Sequence, residues 1–160
     1  CIDTGLDTMT GGRVRRLKNL IGNNRFMVTY GDGVSNVDIA DVVAFHESHG
    51  KLATVTAVHP PPRFGTLKLD ASTVESFDEK SHGDVGWING GFFVFEPEVL
   101  DLIDDDDTKL EAEPMNRLVE AKQLEAYKHD GFWQPMDTLR EKNQLEELWD
   151  AGDAPWKIWD

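Results

Sequence analysis

The chain has 160 residues, 39% of them hydrophobic and 29% charged, enough for one ordinary domain with a buried core. Its single cysteine, Cys1, excludes an intrachain disulfide framework and a cysteine zinc cluster. Sixteen Lys and Arg against thirty Asp and Glu leave a net charge of −14, which opposes binding to nucleic-acid polymers and anionic membranes. A small phosphorylated ligand stays open, because a few cations, a metal or backbone N–H groups set the local field there.

No apolar run is long enough to span a bilayer, and the first residues lack the basic and apolar blocks of a signal peptide. The expectation is a cytoplasmic protein with no membrane partner.

The elements alternate. Thr10 is placed to cap a helix through Val14, Leu17, Lys18 and Ile21, stopped by Gly22. Arg25 to Tyr30 reads as a buried strand ended by Gly31-Asp32-Gly33. Asp38 caps a helix carrying Ile39, Val42, Val43 and His46, with Gly50 as its stop. Leu52 to Val58 is the next strand, broken by prolines at 60–62. This βαβ order predicts a parallel pair with a right-handed crossover.

Shorter strands follow at Gly65 to Leu69, Val74 to Phe77 and Ile88 to Phe95. Helical stretches are predicted at Glu96 to Ile103 and Pro114 to Ala121, then a strand at Leu124 to His129. Thr138 to Trp149 reads as an amphipathic helix with Leu139, Leu145, Leu148 and Trp149 on one side. The sum is an α/β fold with a mixed sheet. Asp104 to Asp107 lacks the ligand spacing of a calcium loop and reads as a solvated surface loop.

Ligands of open α/β sheets bind beyond the carboxyl ends of strands, where Gly31-Asp32-Gly33 falls. The flanking glycines let the Asp32 carboxylate project into a crevice; the same triplet also makes an ordinary turn. Asp137 precedes a helix, so it is either an N-cap or a partner to Asp32 in holding one Mg²⁺ with phosphate oxygens. Glu79-Lys80 follows a strand and offers a cation for phosphate and an acceptor for hydroxyls, or a charged turn. Trp87-Ile88-Asn89-Gly90-Gly91 suits a sugar subsite, or an aromatic strand entrance. His46 and His49, three apart on one helix, lack a third metal ligand nearby and read as structural. Neither a nucleophile elbow nor a P-loop is present.

Taken together, the blocks Thr4 to Arg13, Val28 to Val34, His59 to Gly65, Trp87 to Phe93, Gly131 to Arg140 and Ala154 to Trp159 resemble the sugar-phosphate nucleotidyltransferases. The strings Thr-Met-Thr-Gly-Gly-Arg (8–13) and Phe-Trp-Gln-Pro-Met-Asp-Thr-Leu-Arg (132–140) point within them to the cytidylyl branch. The resemblance implies a Rossmann-like, mainly parallel mixed sheet flanked by helices. It implies CTP and glucose 1-phosphate as substrates, CDP-glucose and diphosphate as products and Mg²⁺ as cofactor, in precursor supply for deoxysugars of surface polysaccharide. A homo-oligomer is implied for the full-length parent.

By resemblance, Asp32 and Asp137 hold the metal, Lys80 contacts the glucose 1-phosphate, Glu79 its hydroxyls, Asn89 adds a sugar hydrogen bond and Gly65 offers backbone to the hexose. Thr10, Gly11, Gly12 and Arg13 look like the segment beside the nucleotide, with helix N-terminal amides facing it. The family has proline after Glu-Lys where this chain has Ser81. It also opens with a strand and a glycine-rich phosphate loop that are absent here. The chain is therefore expected to be the C-terminal part of one domain: 1–58 on the nucleotide side, 59–137 on the sugar-phosphate side, 138–160 a helix and tail. dTTP or UTP as nucleotide is the alternative within the family. A non-catalytic sugar-phosphate-binding module is the alternative outside it.

Overall fold

A computed structural model of the chain describes residues 1–61, 66–78 and 86–159. In chain order the elements are α1 (Thr10–Arg16), α2 (Lys18–Ile21), β1 (Phe26–Thr29), β2 (Gly33–Ser35), α3 (Ile39–His49), β3 (Ala53–Val58), β4 (Thr66–Asp70), β5 (Thr73–Asp78), β6 (Ile88–Phe95), a 3-10 helix (Pro97–Leu102), α4 (Glu113–Glu120), β7 (Leu124–His129), β8 (Trp133–Pro135) and α5 (Leu139–Asp150). β1, β6, β3 and β7 form a four-stranded sheet in that order; β2 pairs with β8 and β4 with β5.

The sheet is mixed. β6 runs antiparallel to β1, from Phe26 opposite Phe95 to Thr29 opposite Phe92. Glu96 N–H, just past β6, donates to the carbonyl of Leu52, just before β3, so β6 opposes β3 as well. Ala53 N–H donates to the Gln123 carbonyl, which aligns the starts of β3 and β7 and makes them parallel. The expected pairing of the first two strands is thus corrected. β1 and β3 point the same way but are not neighbours, because β6 lies between them. A direct βαβ pair was the local solution; β6, arriving from residue 88, takes the place.

The chain packs as two compact units, residues 1–30, 38–56 and 91–127, and residues 31–37, 57–90 and 128–160. In the first, Ala53, Phe93, Phe95, Val99, Leu100, Ile103, Leu110 and Leu118 form the core, with Val14, Ile21, Phe26 and Tyr30 packed against it. Asp38 caps α3 as predicted, its side chain accepting from Ala40 N (2.8 Å) and Asp41 N (3.2 Å), and Gly50 ends that helix in the left-handed region. The predicted first helix is split: Leu17 separates α1 from α2, and Met9, not Thr10, stands at the N-cap. The helical stretch predicted from Glu96 to Ile103 is a 3-10 helix, Pro97–Leu102.

The aspartate run is engaged as well as exposed. Arg117 grips Asp104 and Arg16 grips Asp106, each through two hydrogen bonds, and Asp105 accepts from Asp107 N and the Thr108 hydroxyl. These contacts make the stretch a fastened turn. On α5 only Leu145 of the four predicted apolar positions is buried; Leu139 and Trp149 are exposed.

The helix histidines are structural. His46 is 1% exposed, with Nδ1 2.8 Å from Thr54 Oγ1 and Nε2 3.2 Å from Glu96 Oε1. His49 Nε2 lies 2.7 Å from the same hydroxyl, and its Nδ1 accepts from Lys51 N–H. One proton order satisfies every atom: Lys51 N–H to His49, His49 Nε2–H to Thr54, Thr54 O–H to His46, and His46 Nε2–H to Glu96, which Arg25 also binds. Both imidazoles are neutral in that order. Burial holds His46 below its ordinary value of 6.5, with Glu96 opposing; burial and the neighbouring His46 do the same to His49. Burial pushes Glu96 up, but the hydrogen bonds from Arg25 and His46 outweigh it and hold the carboxyl below 4.5.

The sign follows. A histidine whose folded value is lowered stabilises the fold fully above its unfolded value, and that stability is lost as pH falls through 6.5 toward the folded value. Glu96 adds a second loss below 4.5. Thermal unfolding of the full-length protein is expected to shift down by several degrees between pH 7.5 and 5.5, with a shallower dependence in His46→Gln. A midpoint independent of pH over that range contradicts the neutral relay.

Candidate active site

Among the described residues, the second unit carries Asp32, Asn89 and Asp137. β2 and β8 are antiparallel, with Gly33 opposite Pro135, Val34 opposite Gln134 and Ser35 opposite Trp133. One step beyond the ladder, Met136 N–H donates to the Asp32 carbonyl at 2.7 Å. Asp32 and Asp137 are thereby brought to neighbouring backbone positions from points 105 residues apart in sequence. Both are exposed. β2 and β8 leave no signal in the sequence pattern: each has three residues, one opening with Gly and the other closing with Pro, too short for a period to register.

The N-cap reading of Asp137 is removed. Thr138 caps α5, its hydroxyl accepting from Glu141 N (3.2 Å) while Glu141 Oε2 accepts from Thr138 N–H (3.0 Å). Asp137 stands one residue before that box and is not required for it.

β8 is tied to β6 by Trp133, whose indole N–H donates to the Gly90 carbonyl at 2.8 Å. That bond places Asn89, the exposed second residue of β6, beside the tether. Sequence reasoning missed Trp133 as a positioning residue; only the three-dimensional pairing of residues 90 and 133 reveals it. Gly65, Glu79 and Lys80 lie outside the described residues.

Thr10, Gly11, Gly12 and Arg13, in the first unit, have other partners than those expected. Gly11 N–H and Gly12 N–H both donate to the Thr108 carbonyl (3.0 and 3.3 Å), and Met9 N–H donates to the Asp106 carbonyl (2.8 Å). The Thr10 hydroxyl donates to Glu111 Oε2 and accepts from Leu110 N–H. Arg13 donates to the Thr4 hydroxyl and the Leu6 carbonyl. The amides of α1 face the 106–110 turn. The amides expected to face the nucleotide at this helix start are, for Gly11 and Gly12, bonded to the Thr108 carbonyl.

Electrostatically, the Asp32–Asp137 pair supplies hard oxygen donors of the kind that take Mg²⁺ with substrate oxygens completing its shell. Among the described residues, no group of three or more His, Cys, Asp or Glu could hold a metal ion.

The fold is a mixed α/β sheet flanked by helices, and the chain belongs to the nucleotidyl transferase family, whose model matches residues 9–147. It is 52% identical over 160 residues to glucose-1-phosphate cytidylyltransferase of Salmonella typhi, and equally so to that of Salmonella typhimurium. Each alignment covers 99% of this chain and 62% of the relative, so the chain spans about three-fifths of their length. The fold is similar to that of HddC from Yersinia pseudotuberculosis, with a TM-score of 0.63 at 19% identity over 91% of this chain and 64% of that one. Among the described residues no helix is long and apolar enough to cross a membrane.

Proposed function

We propose that the protein joins CTP to glucose 1-phosphate, forming CDP-glucose and diphosphate. The juxtaposition of Asp32 and Asp137 by the β2–β8 ladder carries this reading, in a chain whose relatives at 52% identity bear that activity in their names. A phosphate oxygen of the sugar phosphate forms the new bond to the α-phosphorus. The bond between α-phosphorus and its bridging oxygen to the β-phosphorus breaks, and the electron pair leaves on diphosphate.

The substrate is its own nucleophile, so the protein's work is positioning and charge neutralisation. A bound Mg²⁺ would supply charge neutralisation at the phosphates. Asp32 and Asp137 are the residues that would hold it. Lys80 takes the phosphate of glucose 1-phosphate, Glu79 and Asn89 its hydroxyls, and Gly65 lends backbone to the hexose. The Trp133–Gly90 bond ties the Asn89 end of β6 to β8.

Choice of CTP rests on relatives' names, and competition tests it. The full-length protein, given glucose 1-phosphate, Mg²⁺ and equal CTP, dTTP and UTP, is expected to yield CDP-glucose as the dominant product by mass spectrometry. A dominant dTDP- or UDP-glucose would overturn the base assignment. Binding of glucose 1-phosphate without any diphosphate release would overturn the enzyme reading itself.

A further inference from the structure

A second cluster stands beside Asn89, in the same unit and at the end of the sheet where β3 and β7 finish and β6 begins. His59 follows β3, Trp87 precedes β6, Lys128 is the penultimate residue of β7 and Asp130 follows it. The His59 ring stacks on Trp87 with centroids 3.9 Å apart, and His59 Nε2 lies 3.7 Å from Asp130 Oδ1. Lys128 Nζ sits 5.5 Å from the centre of the Trp87 ring. The three strand ends are thus linked through one indole, and the lysine is held against it.

Three features give this arrangement a binding role. In extended chain, residues two apart project to the same side, so Trp87 and Asn89 share a face. β7 alternates likewise: Tyr127 turns to Phe45 of α3, at 5.6 Å between rings, so Lys128 faces the other way. Finally, among the described residues Lys128 has no carboxylate within ion-pair distance, although thirty acids confront sixteen bases in this chain, and the adjacent Asp130 is directed to His59. An ammonium held on an aromatic face, with its donors directed to solvent, is suited to an anion.

We infer that Lys128 is a further substrate-binding residue, taking the phosphoryl group of the hexose phosphate, with Trp87 and His59 positioning it. The inference rests on the sugar-phosphate reading of the Asn89 side. A doubly charged sugar phosphate approaching a chain of net charge −14 needs more than one local cation to hold it. Lys128 supplies one that is fixed by ring contact instead of by a carboxylate that would cancel it.

The test uses the full-length protein and Lys128→Met. Steady-state kinetics are expected to show KM for glucose 1-phosphate raised about 10-fold or more, KM for CTP within two-fold, and an unchanged thermal midpoint. Lys128→Arg is expected to recover part of the loss, and Trp87→Leu to move the same KM in the same direction. An unchanged KM for glucose 1-phosphate, or a rise confined to CTP, overturns the inference. Calorimetric titration with glucose 1-phosphate, and separately with inorganic phosphate, reads binding without turnover. If the parent binds glucose 1-phosphate through Lys128 yet makes no nucleotide sugar, the transferase reading fails and this one stands. If the parent turns over normally and Lys128→Met binds as well as the parent, this one fails alone. A parent that binds neither probe overturns it too.

Discussion

Asp32→Asn and Asp137→Asn are each expected to lower kcat of the full-length protein by about 100-fold or more, with the fold intact. The amide keeps the shape of the side chain and loses its charge, so whatever the carboxylate gives the phosphates is removed. The β2–β8 ladder uses backbone groups, including the Met136 N–H to Asp32 carbonyl bond, which neither substitution touches. Thr138 and Glu141 cap α5 without Asp137. Neither carboxylate belongs to the β2–β8 ladder or to the α5 cap. Thermal midpoints near the parent's, with turnover lost in both variants, are the expected pair of observations. Near-parental turnover in either variant would remove that residue from the metal pair.

The second large effect concerns stability. A Cβ at Gly12 would lie 2.6 Å from both Cα and O of Asp106 and 2.8 Å from Thr8 Cγ2. Two of those atoms are backbone, so no side-chain rotation relieves the clash. Retreat of α1 is blocked as well, because Gly11, Gly12 and Met9 all donate to carbonyls of the 106–108 turn, which Arg16 fastens through Asp106. Gly12→Ala is expected to cost about 3 kcal/mol and to lower the thermal midpoint by about 10 °C. Gly86→Ala, where a Cβ meets nothing within 4 Å, serves as the control and is expected to move it little. Equal midpoints for the two variants would contradict the close-packing account of the Gly-Gly pair.

That pair also shows where sequence reading reaches its limit. Gly11-Gly12 at a helix start has the local composition of a phosphate-facing terminus, and also of a helix packed tightly on another segment. The deciding partner, Thr108, lies almost a hundred residues away, beyond any local pattern. The same holds for the sheet. Single elements were legible: β6 and β7 match their predicted spans, and Asp38 sits where a cap was expected. Order within the sheet was not, since the strand that separates β1 from β3 comes thirty residues later.

The site divides in the same way. Asp32 was legible because a strand ended by Gly-Asp-Gly projects a carboxylate, and Asp137 because a second acid stood before a helix. Their adjacency depends on β2 and β8, which are too short to read. Gly91, by contrast, has a reason that only packing gives. Its φ is +79°, and a Cβ there would lie 2.5 Å from the Tyr30 ring, whose backbone N–H donates to the Gly91 carbonyl. The two glycines read as room for a sugar include one that makes room for a tyrosine. His59, Trp87 and Lys128 become a cluster only when the ends of three strands are brought together.

Exchange of labelled diphosphate into CTP, measured in the full-length protein with and without glucose 1-phosphate, tests most directly the claim that the substrate is the nucleophile. Exchange is expected when glucose 1-phosphate and Mg²⁺ are present, and none when the sugar phosphate is left out. Exchange without glucose 1-phosphate would require a nucleotide bound covalently to the protein and would contradict that claim, as would no exchange under either condition.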